Sequence, residues 1–207
     1  MGLLVLALAL RLAHLATIRE SPFFRQLILD PRMYDEWGQR IAAGSWLAER
    51  PFFQDPLYAY FLGLLYAVLG HRHLPVLVVQ ALLGALVPAL VYLAARPWFG
   101  RPAAAAGGLI AALYLPSLYY GGMILKTWMT VVLVALTLWL LSRALAREDR
   151  GLAWLWIGIA AGLACLTRGN LVLFLPVLAL WIAAWKPGPG ELPRGQRFRP
   201  ALLLALG

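Results

Sequence analysis

The chain has 207 residues, 62% of them apolar, and a mean hydropathy of +0.76, with nine Trp, eight Tyr and eight Phe. Repeated apolar runs of about 17 to 25 residues exclude a soluble domain and predict an all-α, polytopic membrane protein. The net charge of +9 sits in short basic clusters between those runs, a positive-inside pattern rather than a nucleic-acid surface, and the single Cys165 excludes an intramolecular disulfide.

Residues 3–18 predict the first span. No basic segment precedes it and Arg11 interrupts it, so it reads as a retained helix rather than a cleaved signal. Arg11 and His14 lie three residues apart on one face. An arginine inside a span is costly unless it has a polar surrounding, so Arg11 either reaches the interface or an acid, or faces a phosphate.

A polar island follows. Six of the nine acids, Glu20, Asp30, Asp35, Glu36, Glu49 and Asp55, fall within it. Asp30-Pro31 and Asp55-Pro56 each place a capping acid before a proline at a helix start, predicting helices over about 31–43 and 56–69 that stop at Gly44 and Gly70. The first presents Tyr34, Trp37 and Ile41 on one face. The second is apolar on most sides but short for a span, and both are expected to lie along the membrane surface.

Further spans are predicted at about 75–95, 102–118, 123–142, 152–167 and 170–185, with another starting near 200 and cut off by the chain end. The chain therefore reads as the N-terminal part, 1–207, of one transmembrane domain. If residues 56–70 do not cross, one side receives Arg96, Arg101, Arg143, Arg147, Arg150, Lys186, Arg194, Arg197 and Arg199 in short loops. The positive-inside rule makes that side cytoplasmic and puts the island, the Tyr119–Lys126 turn and Leu166–Asn170 outside, where they converge.

Carboxylates, aromatics and the isolated cations Lys126 and Arg168 at one membrane face suit an amphiphilic substrate with an anionic head group. Sugar transfer from a polyprenyl phosphate needs a carboxylate to accept the acceptor's proton and cations to stabilise the departing phosphate. Asp30 offers the first, though its spacing alone favours plain helix capping; Asp35 sits in a first turn where the helix dipole favours acids. No nucleotide-binding loop, zinc cluster or serine nucleophile elbow is present. His71 and His73 flank Arg72 without a credible set of further ligands, so no metal site is placed there; no cofactor is expected, and a divalent metal is compatible but not indicated.

The segments Asp30-Pro-Arg-Met-Tyr34-Asp-Glu-Trp37, Ile41-Ala-Ala-Gly44, Pro51-Phe-Phe-Gln-Asp-Pro-Leu-Tyr58, Gln80-Ala-Leu-Leu-Gly84, Ala95-Arg-Pro-Trp-Phe-Gly100 and Gly162-Leu-Ala-Cys-Leu-Thr-Arg-Gly-Asn170 stand in an order that resembles the GT-C superfamily. These are polyprenyl-phosphate-sugar-dependent membrane glycosyltransferases of the protein O-mannosyltransferase and aminoarabinose transferase type. The resemblance is to their bacterial branch. It implies a GT-C-like helical bundle with two juxtamembrane helices in the first external loop. It also implies a catalytic aspartate there, Asp30, and an active site facing outward from the bacterial plasma membrane. The implied partners are a polyprenyl-phosphate sugar donor, a lipid, glycan or protein acceptor, and the bilayer. The expected substrate-binding set, from residue types and topology together with the resemblance, is Tyr34, Asp35, Asp55, Lys126, Arg168 and Arg11. Where relatives carry a second acid, this chain has Lys126, a departure that argues against a two-carboxylate or metal-assisted mechanism and assigns Lys126 to the donor phosphate. A secondary transporter and a non-catalytic assembly subunit are the alternatives; acids confined to a surface loop and the lack of an internal repeat weigh against transport.

Overall fold

The computed structural model describes residues 1–21, 24, 26–47, 54–147 and 152–184. Pro51, Phe52 and Phe53, the charged residues Glu49, Glu148, Asp149, Arg150, Lys186, Glu191, Arg194, Arg197 and Arg199, and the span expected near 200 lie outside the described residues. Among the described residues the chain is all-α, in the order α1 (Gly2–Ile18), α2 (Asp30–Ala42), α3 (Leu57–Leu69), α4 (His73–Gly84), α5 (Leu86–Leu113), α6 (Leu115–Gly121), α7 (Thr127–Arg147), α8 (Ala153–Thr167), a 3-10 turn (Gly169–Leu173) and α9 (Phe174–Ala184). Two stretches, His73–Leu113 and Thr127–Ala146, are long and apolar enough to cross a membrane. The apolar helices α1, α3 and α8 are shorter.

The stretch from His73 to Leu113 is not one rod. Gly100 adopts φ 76° and ψ 173°, a backbone region open in practice only to glycine, and Pro102 follows it. A Cβ at Gly108 would lie 3.0 Å from the Pro88 carbonyl and 3.4 Å from Tyr92, and one at Gly107 would lie 3.8 Å from Val91. In a straight helix residues 88 and 108 would stand about 30 Å apart. The chain therefore folds back at Gly100 into two antiparallel arms, which correspond to the separate spans expected at 75–95 and 102–118. The second arm stops at Leu113, earlier than expected, because Pro116 has no N–H to continue the ladder; it opens the short α6 instead.

Small residues and buried polar bonds join these elements. Added Cβ atoms at Gly84, Gly108 and Gly122 would fall within 3 Å of Arg11, Leu3 and Ile18 respectively, so α1 lies close against α4, the second arm of α5 and the turn after α6. Trp98 Nε1 donates to Ser142 Oγ at 2.8 Å, and Ser142 donates to the Ala94 carbonyl at 2.6 Å, fastening α5 to α7. Thr130 Oγ1 donates to Thr167 Oγ1 at 2.9 Å and ties α7 to α8. With little apolar-to-water transfer to gain between helices in lipid, close approach and hydrogen bonds of this kind are what hold such helices together.

Candidate active site

The surface helices α2 and α3 pack on each other as a pair. Tyr34 and Ile41 from α2 and Tyr58, Ala59, Leu62 and Tyr66 from α3 form the buried seam, joined by Ile124 and Trp128 from beyond α6. Contact is close because two glycines face the partner helix. A Cβ at Gly38 would lie 2.7 Å from Leu62 Cβ, and one at Gly63 would lie 2.4 Å from Ile41 Cγ2. Tyr58 extends the seam towards α4 by donating to Gln80 Oε1 at 2.6 Å. Gln80, itself buried, donates to the carbonyls of Gly121 and Met123 at 3.3 and 2.9 Å and so anchors the turn leading to Lys126.

At the foot of α3, Asp55 gathers three segments. Its carboxylate pairs with Lys126 Nζ in a short contact and accepts the Gly169 N–H at 2.8 Å; Lys126 also donates to Gln54 Oε1 at 3.0 Å. Burial raises the cost of the Asp55 charge, but the Lys126 hydrogen bond and the Gly169 N–H outweigh it and hold the carboxyl below its ordinary value. The island, the turn before α7 and the turn after α8 thus meet at one side chain. Arg168, one residue before that N–H, is exposed, and no side-chain partner for it is recorded among the described residues.

Tyr34 links this group to Asp30. Its hydroxyl donates to the Asp55 backbone carbonyl at 3.4 Å, and its phenol is pushed well up, by burial first and then by the Asp55 and Asp30 carboxylates. Asp30 is exposed and, among the described residues, has no ion-pair or side-chain hydrogen-bond partner. Pro31, next to it, lines an apolar cleft of about 350 Å³ with Ile18, Phe24, Leu77, Met123 and Ile124, while His14 and His73 bring polar atoms to the wall.

Asp35 faces the other way on α2 and is buried. Tyr66 Oη donates to its Oδ1 at 2.5 Å, Gln39 Nε2 to Oδ2 at 2.8 Å, and the Nε2 atoms of His71 and His73 lie 3.0 and 3.1 Å from Oδ1. Burial opposes its charge, yet the hydrogen bonds from His73, Tyr66 and His71 hold the carboxyl far below the usual range. The ligating atoms of Asp35, His71 and His73 all lie within 4.8 Å of one another, so among the described residues these three could hold a metal. Arg11 contacts neither carboxylate cluster. It is buried in α1, donating to the Ala7 carbonyl and to Ser117 Oγ, each at 3.2 Å.

Residues 49–206 match the family described as dolichyl-phosphate-mannose-protein mannosyltransferase. The chain belongs to that family. Within this mannosyltransferase-family chain the match covers Asp55, Lys126 and Arg168, while Asp30, Tyr34 and Asp35 precede it. Three curated relatives extend the similarity. An undecaprenyl phosphate-alpha-4-amino-4-deoxy-L-arabinose arabinosyl transferase 2 of Pseudomonas fluorescens is 30% identical over 87% of this chain and 32% of its own length. The enzyme of that name from Proteus mirabilis is 28% identical over 86% of this chain and 34% of its own. The corresponding arabinosyl transferase of Pectobacterium carotovorum is 30% identical over 69% of this chain and 27% of its own. The chain thus spans about a third of the length of the curated relatives it matches. No solved structure matches it.

Several local expectations need correction for this mannosyltransferase-family chain. Neither Asp30 nor Asp55 caps a helix with its side chain. Leu29 takes the N-cap place of α2 at φ 55°, a left-handed conformation uncommon for a branched residue, and Asp30 is already helical. Asp55 precedes the Pro56 cap of α3, because Lys126 and Gly169 offer its carboxylate better partners than the helix end. His71 and His73 do have a further ligand close by, Asp35, brought from 36 and 38 residues away by the α2–α3 pairing. Tyr58, Gln80 and Gly169 stood in the quoted segments, but the contacts made by the two side chains and by the Gly169 N–H were not anticipated. A glutamine in an apolar run was the one available signal; a backbone N–H leaves none.

Proposed function

We propose that the chain is the N-terminal part of a membrane glycosyltransferase that moves a sugar from a polyprenyl-phosphate donor to an acceptor at the outer face of the bacterial plasma membrane. Family membership supports sugar transfer. The relatives' names, which specify an undecaprenyl-phosphate-linked aminoarabinose, support the lipid-linked donor. The observation that carries the reading is the neighbourhood of Asp30: an exposed carboxylate without a side-chain partner among the described residues, next to Pro31 at an apolar cleft of about 350 Å³ on one side and the Asp55–Lys126–Gly169 group, reached through Tyr34, on the other.

In this reading the donor's hydrocarbon enters the cleft and its phosphate meets cations at the rim. Asp55 and Gln54 occupy two of the three ammonium N–H groups of Lys126, holding it in place and leaving one for a phosphate oxygen. Arg168 adds the charge that Asp55 cancels on Lys126. Asp30 takes the proton as the acceptor oxygen or nitrogen attacks the anomeric carbon, and the bond to the phosphate breaks as polyprenyl phosphate leaves with the electron pair. Tyr34 and Asp35 set the position of α2. Arg11 has a positioning role at most, being held by Ala7 and Ser117.

Asp30→Asn in the full-length enzyme should lower transfer by about 10²- to 10⁴-fold with normal membrane insertion. Wild-type turnover in that variant removes Asp30 from the mechanism. Arg168→Ala should weaken donor binding, and unchanged donor affinity would return this residue to the interface-anchor class.

A further inference from the structure

We propose that Asp35, His71 and His73 form a binding site for a divalent transition metal of the zinc type, clamping α2 to the start of α4. The inference stands apart from the transfer reaction and does not depend on it.

Convergence of ring nitrogens on Asp35 is the first reason. His71 Nε2 lies 3.0 Å from Oδ1 and 3.2 Å from Oδ2, and His73 Nε2 lies 3.1 Å from Oδ1. Both imidazoles thus turn the same nitrogen towards one carboxylate. A cation between the three groups fits this convergence: each Nε2 gives up its proton and turns a lone pair on the metal, and the carboxylate supplies the third ligand.

Geometry and chemistry point the same way. Ligands bound at about 2.0–2.2 Å around a tetrahedral ion stand roughly 3.3 Å apart. The two histidine-to-aspartate edges are 3.0 and 3.1 Å, and the remaining edge is no longer than 4.8 Å. Two neutral imidazoles and a carboxylate suit zinc and its neighbours rather than magnesium or calcium, which take oxygen-rich sets. Tyr66 on Oδ1 and Gln39 on Oδ2 orient the carboxylate from behind, the support that metal-bound carboxylates generally have. The His71 side chain is 45% exposed, so ions can enter and a water can complete the coordination.

The test uses the purified full-length protein in detergent, stripped with a chelator and titrated with Zn2+ by calorimetry and with Co2+ by visible absorption. The expected result is one saturable site per chain, intense tetrahedral Co2+ bands, and a rise in Tm with Zn2+ that Mg2+ does not produce. His71→Ala, at a largely exposed position where folding should survive, should weaken Zn2+ binding at least about 100-fold and abolish the Co2+ bands, and Tyr66→Phe should weaken it by about 10-fold. Failure of the wild-type protein to bind Zn2+, or binding that persists unchanged in His71→Ala, overturns the site. Octahedral Co2+ spectra with equal binding of Mg2+ overturn its assignment to a zinc-type metal.

Discussion

Asp55 holds its charge because Lys126 and the Gly169 N–H repay its desolvation, which gives the pair a definite pH signature. A carboxyl with a depressed folded value binds more protons when unfolded, so its stabilising contribution is complete above the ordinary value of 3.8 and disappears as pH falls through the lower folded value. Thermal melting followed from pH 7 to pH 3 should therefore show a drop in Tm below about pH 4, as expected for paired carboxylates, that is shallower in Asp55→Asn. Asp35 is depressed in the same direction, so Asp35→Asn/Asp55→Asn should flatten the curve further; an unchanged acid limb in both variants would mean that neither pair contributes. Lys126→Ala should cost about 1–3 kcal/mol, between the values for exposed and for buried pairs. At this scale the sequence showed residue types without partners. Lys126 and Asp55 stood out as charges, but their pairing spans 71 residues and became visible only in three dimensions.

At the scale of elements the proposed site depends on the α2–α3 pair, since α2 carries Asp30 and Asp35 and α3 begins just after Asp55. Its weak point is the glycine contact. Gly63→Val would drive a side chain into Ile41, where even a Cβ would come within 2.4 Å of Cγ2, and overpacking of this kind costs about 1–3 kcal/mol. The expected outcome is a lower Tm together with faster proteolysis between α2 and α3; wild-type values for both would show that the helices are free to separate without loss. Helix extents were largely readable from the chain. Gly44 and Gly70 take positive φ just past the two surface helices, and the expected ends fall within one residue of those observed. The expected starts also fall within one residue, but the role of each acid was not readable, because an acid before proline is an equally good cap or ligand until its neighbours are known. The fold-back at Gly100 was legible as two spans, since glycine and proline flank the break.

Across the whole molecule, the mannosyltransferase-family chain is organised so that the α2–α3 pair, the turn before α7 and the turn after α8 sit together at one end. The proposed outward orientation of that end rests on the distribution of arginines. In a Cys165→Ser background, Arg72→Cys should react with a membrane-impermeant thiol reagent in intact cells, whereas Arg101→Cys, beside the fold-back of α5, should react only after permeabilisation. Outside labelling of Arg101→Cys alone would invert this topology, and labelling of both from the same side would dismantle it. Composition made the bilayer assignment readable from the start, but long-range adjacency was not, because an apolar stripe says which face is buried and not against what.

The Asp55 group also sets an order of assembly. Its three contributors lie at residue 55, 71 positions later and 114 positions later, so during synthesis the carboxylate must wait for two more stretches of chain before its contacts are complete. Until the turn after α8 has emerged from the ribosome and been delivered to the correct side, Asp55 lacks its Gly169 contact, and the α2–α3 pair is fastened only by what came before it. A nascent chain halted before Gly169 should leave this end of the bundle open, and one released beyond it should close: the last of the Asp55 contacts to form is the one that ties in the turn after α8.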